Sequence, residues 1–461
     1  HFLASFAMKM PLMRGGLLSR RLAVLQPLSR QKWDHATCVL FSNGAINGAI
    51  NGAKPKASSD PVVPKTPTEK LEGRKATFTA SKAMSSNAPK TGNFVKGSTV
   101  DHAVDLMSLR PGDRLDIPYE LTVSETMQEF WHAAFYSQDR IHTSRPFCRK
   151  MGLQDRVIPF SLALFLTSSM THADAAKVQV GFGHVWYLWP TFAGDTFHKS
   201  FEVNAIRNTS DGNHSIIHFT CDLHNHRGRL CMRADKRMLF SFAVPESNAS
   251  ATDSEVVFKE PAQVHLFRDH LLSKATTVLA EERSHTWARF QPGQCILHSM
   301  NRSLTFSQSQ QLASLARLTH ERHFDTKKFD RYSEILVPGG LVLGLALSLS
   351  ARDLHEVLHE EIVWVNYLNS LSPDQVVGAI SYVERVEENN VPGDLEVLTV
   401  RTLGIKNMNV KRDLEGVEIP LDLFQSVTPK EIEAICKQHC PILMNKIVVQ
   451  VNRKILRQSC H

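Results

Sequence analysis

At 461 residues and 42% hydrophobic content, the chain is too long for one ordinary domain and can bury two sizeable cores. Its net charge of +7 comes from Lys and Arg spread along the whole sequence, with no basic stripe interleaved with aromatics, which excludes nucleic acid as the leading partner. The 8 cysteines are too scattered for a secreted disulfide scaffold and fit a reducing compartment.

Residues 1–42 carry Lys9, Arg14, Arg20, Arg21, Arg30 and Lys32 among Leu, Ser and Gly, with no acid before Asp34. That composition predicts a mitochondrial transit segment and a matrix destination. Residues 43–100, rich in Ala, Lys, Ser, Pro and Thr, read as a disordered linker. The first folded unit is expected over 101–246. It opens on the turn Arg110-Pro111-Gly112-Asp113 and an alternating strand, followed by a helix capped by Ser124. Next come the loop Asp139-Arg140-Ile141-His142, an apolar helix after Ile158-Pro159, and strands around Trp186–Pro190 and Gly194-Asp195-Thr196.

After a linker at 247–262, the same order recurs over 263–425. Gln291-Pro292-Gly293-Gln294 forms the turn, Leu312–Leu318 the helix, and His320–Asp325 the histidine-bearing loop. The run Ile335–Leu349 is too short to span a bilayer and is interrupted by Pro338, Gly339, Gly340 and Gly344, so it reads as a buried helix and no membrane span is expected. Strands follow near Trp364–Leu368. Residues 426–461 read as a helical extension starting at the N-cap Thr428. Cys436 and Cys440 lack a second pair of zinc ligands, so a solvated helix bearing two thiols is expected, without metal. The absence of a glycine-rich dinucleotide motif argues against a redox cofactor.

A duplicated order of elements points to a duplicated fold, although periodicity alone gives only α+β. The segment His142–Gly152 with Asp155-Arg156-Val157-Ile158 resembles the active-site loop of MaoC-like dehydratases, and Gly194-Asp195-Thr196 is similar to that family's turn after an aromatic strand. His323-Phe324-Asp325 with Val337-Pro338-Gly339-Gly340 resembles the same element in the branch holding mesaconyl-CoA hydratases and mitochondrial 3-hydroxyacyl-thioester dehydratases. The resemblance covers roughly residues 109–424. It implies a double hotdog of α+β class, with two antiparallel sheets each wrapped around a central helix. It also implies hydration or dehydration of a 2-enoyl or 3-hydroxyacyl thioester on coenzyme A or acyl carrier protein, with no further cofactor.

In that family an Asp five positions before the His completes a water-handling pair. Here those positions hold Ser137 and Leu318. The pair is therefore expected to be His142 with Asp139, or His323 with Asp325 or Glu321. Backbone N–H groups at Gly339 and Gly340 are expected to polarise the thioester carbonyl, where the first copy has Pro159-Phe160. Arg156, with Arg145, Arg149 and Lys150, would meet coenzyme A phosphates or simply be solvated. Trp186, Tyr187, Trp189, Phe192 and Phe197 would line an acyl pocket or belong to the core. The rival to a hydratase is a non-catalytic hotdog subunit of a mitochondrial assembly, favoured by the missing acids, and a third reading is an acyl thioesterase. Two hotdogs in one chain allow a monomer as well as a homodimer.

Overall fold

The segments Phe160–Ser168 and Gly339–Ala351 are apolar on every side, a pattern that demands burial all round rather than along one stripe. The computed structural model describes residues 97, 106–117, 119–169, 176–249, 260–281, 288–388, 391, 395–425 and 428–459. The transit segment expected over 1–42 lies outside these residues, as do the linker over 43–100, apart from Gly97, and positions 250–259 of the second linker.

In chain order the first half contains β1 (Arg114–Asp116), β2 (Leu121–Thr122), α1 (Glu125–Ala134), α2 (Arg140–Thr143), α3 (Arg145–Lys150), α4 (Phe160–Ser168), β3 (Ala176–Tyr187), β4 (Thr196–Asn208), β5 (Ser215–Asn225) and β6 (Leu230–Phe240). The second contains α5 (Leu266–Glu281), β7 (Cys295–Leu297), α6 (Phe306–Leu315), α7 (Gly339–Ala351), β8 (Val357–Tyr367), β9 (Val377–Glu387), β10 (Leu395–Lys406), α8 (Val410–Asp413), α9 (Asp422–Gln425), α10 (Pro429–His439) and β11 (Ile447–Gln458). Local chemistry sets the boundaries. Ser124 caps α1 by accepting from the Met127 N–H at 3.1 Å, and Thr305 and Thr428 form capping boxes with Gln308 and Glu431. Strand β5 buries every second residue from Ser215 to Asn225, the period of a sheet with one covered face.

The eleven strands form one antiparallel sheet in the order β1-β4-β5-β6-β3-β8-β11-β10-β9-β7, with β2 beside β4. The expectation of two separate sheets is corrected here. Edge strands β3 and β8 pair with each other, Gly181 opposite Asn366 and Val185 opposite Ile362, so the two halves satisfy each other's exposed edge. Gly181 makes this approach feasible, since a Cβ there would lie 2.0 Å from the Val365 carbonyl oxygen. Helix α4 packs on β5 and β6, α7 packs on β9, β10 and β11, and the two helices touch each other. Both halves lie within one unit, Lys70–His461.

A second correction concerns the expected helical extension. Helix α10 is present, but β11 then enters the middle of the sheet between β8 and β10. Because β11 is buried on both faces, the polar/apolar alternation that marks a strand is missing. Its buried cations are matched by acids, Arg453 with Glu360 at 2.7 Å and Arg457 with Glu396 at 3.4 Å. The thiols of Cys436 and Cys440 are buried in the core that β11 completes, not solvated.

Contact between the helices depends on Gly340. A Cβ there would fall 2.5 Å from Cδ2 of the buried Phe165 ring. Gly340→Ala is therefore expected to destabilise the fold by about 1–3 kcal/mol through forced repacking, read as a lower urea midpoint. The far end of α4 is held by two lysines, Lys236 buried and Lys199 half-buried. Lys236 Nζ donates to Ser168 O at 2.7 Å, and Lys199 Nζ donates to Leu166 O at 3.1 Å and to Ser169 O, satisfying carbonyls that have no partner within the helix. Burial pushes their pKa values down to about 8 and about 7.

Candidate active site

Each half places its loop histidine in the same way. His142 Nδ1 bonds Val157 O at 3.0 Å, and His323 Nδ1 bonds Leu336 O at 2.8 Å, in each case the carbonyl two residues before the proline that opens the central helix. A carbonyl only accepts, so Nδ1 carries the proton and Nε2 keeps its lone pair. The strand side matches too. Gln179 and Tyr187 on β3 are spaced as His359 and Tyr367 are on β8, and each site takes its own half's tyrosine and the other half's strand residue.

The second half holds an open cavity of about 210 Å³. His323, Arg322, His320 and Leu318 line one side, Pro338, Gly339 and Gly340 form the helix end, and Gln179, Lys236, Phe165 and Tyr367 complete the wall. Burial drives the pKa of His323 down to about 4, assisted by neighbouring His320 and the Arg322 cation, so the ring is neutral near pH 7. Pro338 provides no side-chain cap, and the first N–H groups of α7 have no acceptor within the helix. At Gly339 an added Cβ would sit 3.3 Å from Tyr367 Cζ and 3.4 Å from Gln179 Oε1, so the absent side chain is what lets a ligand reach those N–H groups. Among the described residues no Asp or Glu lines this cavity.

The corresponding space in the first half is only about 10 Å³, room for one water at most. Phe160 stands where the second half has Gly339. Phe267 from α5 fills the remainder, its ring edge-on to Tyr187 at 5.4 Å and to His359 at 5.3 Å. His142 lines this small space and is 9% exposed.

The acid candidates have other partners. Asp139 is buried and accepts the Val357 N–H at 2.8 Å and His355 Nδ1 at 3.2 Å, joining the first half's loop to the start of β8. Asp325 accepts the N–H groups of Lys327 at 2.9 Å and Lys328 at 3.1 Å, capping its own turn, and Glu321 is exposed and paired with Lys328. Leu318, five positions before His323, faces the cavity. Arg156 bonds Glu129 at 2.5 Å and Arg145 bonds Asp155 at 3.0 Å, so these cations are held in surface ion pairs. Tyr187, Phe192 and Phe197 are core residues, Trp186 packs with Leu188 and Val264, and Trp189 lies under the Arg229 guanidinium at 4.2 Å.

The sequence reading passed over three features. Tyr367 and Gln179 were not singled out, although the shared Tyr-Leu pair in Tyr187-Leu188 and Tyr367-Leu368 was a usable signal. The third is a buried chain in which Asp353 meets His298 Nδ1 at 2.7 Å and His298 Nε2 meets Ser381 Oγ at 2.8 Å. Its connectivity matches a hydrolytic triad. However, His298 and Ser381 are fully buried and line none of the cavities described, so these bonds tie the turn after α7, through the segment after β7, to β9.

One antiparallel sheet bearing two buried central helices, each entered through a histidine loop, is a double hotdog. Two solved structures share the fold. A MaoC domain protein dehydratase from Chloroflexus aurantiacus J-10-fl matches with a TM-score of 0.61 at 16% identity, over 79% of this chain and 100% of its own. A conserved hypothetical protein with a double hotdog fold from Mycobacterium tuberculosis matches with a TM-score of 0.56 at 15% identity, over 76% and 97%. In sequence, the chain is homologous to a mesaconyl-CoA hydratase of Cereibacter sphaeroides, 25% identical over 345 residues, covering 70% of this chain and 96% of the relative. No family model matches it. No helix among the described residues is long and apolar enough to cross a membrane.

Proposed function

We propose that this chain is a hydro-lyase that reversibly adds water to a 2-enoyl thioester, carried by coenzyme A or acyl carrier protein, at the second-half cavity. The observation that carries this reading is a neutral histidine with a free Nε2 in the same cavity as the uncapped, glycine-lined N-terminus of α7. In the hydration direction the thioester oxygen accepts from the Gly339 and Gly340 N–H groups, which stabilise the developing enolate. His323 Nε2 takes a proton from water as the water oxygen bonds the β-carbon. The imidazolium then returns that proton to the α-carbon, leaving the histidine neutral again. A mitochondrial matrix setting accords with the basic, acid-free residues before Asp34.

One observation favours the rival, a non-catalytic subunit of a larger assembly: Leu318 stands where the family has its acid, and among the described residues no carboxylate lines the cavity. The deciding experiment incubates the full chain with crotonyl-CoA, mesaconyl-CoA, longer enoyl-CoAs and the corresponding carrier-protein thioesters, following ultraviolet absorbance of the conjugated thioester. The reading predicts loss of that absorbance and formation of the 3-hydroxyacyl product. Folded protein inert toward every thioester supports the subunit, and release of free thiol marks a thioesterase.

A further inference from the structure

Given the reading of the cavity as an acyl-thioester site, we infer that Tyr367 Oη and the Gln179 side-chain amide hold the reacting water, and in reverse the departing β-hydroxyl, in place of the family's carboxylate. Three observations converge on these two groups. Tyr367 Oη and Gln179 Nε2 are both buried with no hydrogen-bond partner among the described residues, a costly state that a bound ligand or water relieves. Both lie against Gly339, at the helix end where the thioester carbonyl docks.

The closed half provides the internal control. There Tyr187 Oη donates to Ile158 O at 3.0 Å and also bonds Thr191 Oγ1, while His359 Nε2 is bonded to Tyr187 O at 3.0 Å. The residue matching Thr191 in the second half is Leu371, since Ile158 N–H bonds Thr191 O just as Val337 N–H bonds Leu371 O. Leucine has no hydroxyl, so Tyr367 lacks one of its counterpart's two partners, and the Val337 carbonyl, which matches Ile158 O, accepts no bond from it either. The same scaffold uses these groups internally where the cavity is closed and leaves them unbonded where it is open.

The chemistry is consistent with His323 acting alone as the base. A water accepting from Tyr367 Oη presents a hydrogen to His323 Nε2 and a lone pair to the β-carbon. Tyr367 itself stays protonated throughout, because burial raises its pKa. Proton and electron pairs therefore balance through His323 without an acid at position 318.

The test is made in a His323→Ala background, which stops turnover of the ligands. Calorimetric titration of the full chain compares 3-hydroxybutyryl-CoA, whose β-hydroxyl occupies the water position, with butyryl-CoA, which lacks it. This background is expected to prefer the hydroxylated ligand by about 10-fold, the scale of one hydrogen bond. Adding Tyr367→Phe, which keeps the ring against Phe182, is expected to lose that preference without changing butyryl-CoA affinity, and adding Gln179→Leu to weaken it. A preference retained with Tyr367→Phe, a preference missing in the His323→Ala background, or binding of neither ligand overturns the inference, while the functional reading stands or falls on the enoyl-thioester assay.

Discussion

His323→Ala is expected to lower enoyl-thioester turnover by about 10²–10⁴-fold, the usual contribution of a positioned general base, while His142→Ala leaves turnover intact. The two histidines are held alike, each with Nδ1 on the carbonyl two residues before a helix-opening proline, so local geometry does not distinguish them. Access does. His323 borders about 210 Å³ of cavity and His142 about 10 Å³. His142→Ala is expected to cost stability instead, about 1 kcal/mol from the lost bond to Val157. Initial rates against pH give a second readout. The reactive form of His323 is neutral and its pKa is held down to about 4, so rates stay flat through neutral pH and fall only as pH drops through that value. A folded-state pKa below the unfolded value contributes stability that is complete above about pH 6.5 and is lost as pH falls toward 4. His132 and His218 are depressed to about 4 by the same cause and add to this loss. The acid limb must therefore be read from rates taken immediately after a pH jump.

Phe267→Ala is expected to destabilise the protein by about 3–5 kcal/mol and still create no second active site. The ring is 2% exposed and wedged between Tyr187 and His359, so truncation removes both its burial and its edge-on contacts. The space it leaves remains closed at the helix end by Phe160, where the open half has glycine. Chemical denaturation measures the first effect. The second is read in a His323→Ala, Phe267→Ala double variant, which is expected to stay as inactive as His323→Ala alone.

The elements that sequence reading placed well were those with strong local signals. Ser124 and Thr428 each begin a helix, and the two all-apolar helices emerge where the repeated order put them, whereas the helix expected over Leu312–Leu318 starts earlier, at Phe306, and ends at Leu315. Strand β11 was hidden because burial on both faces erases period-two alternation and its arginines read as surface charge until their acids are located. The single sheet was hidden because the pairing of β3 with β8 joins residues far apart in sequence through backbone bonds that leave no side-chain pattern.

At the candidate site, His323, Gly339 and Gly340, named in advance from the resemblance to the MaoC-like loop and helix start, line one cavity. Gln179 could not be named in advance, since it reaches the cavity from the other half's strand. Nor could Phe267, which is a core residue of an ordinary helix until its ring is seen in the space beside His142. Asp139 illustrates the opposite error. A carboxylate three residues from a histidine suggested catalysis, yet its oxygen is committed to the backbone and histidine of the other half.

The most direct test of the central claim, that the glycine-lined end of α7 receives the thioester, is titration of butyryl-CoA, which has no double bond to hydrate, into the wild type and into Gly339→Phe, which installs the first half's residue at the open site. The account predicts saturable binding by the wild type and none by a folded Gly339→Phe protein. Equal affinity in both would contradict it, placing the ligand away from His323 and the helix end.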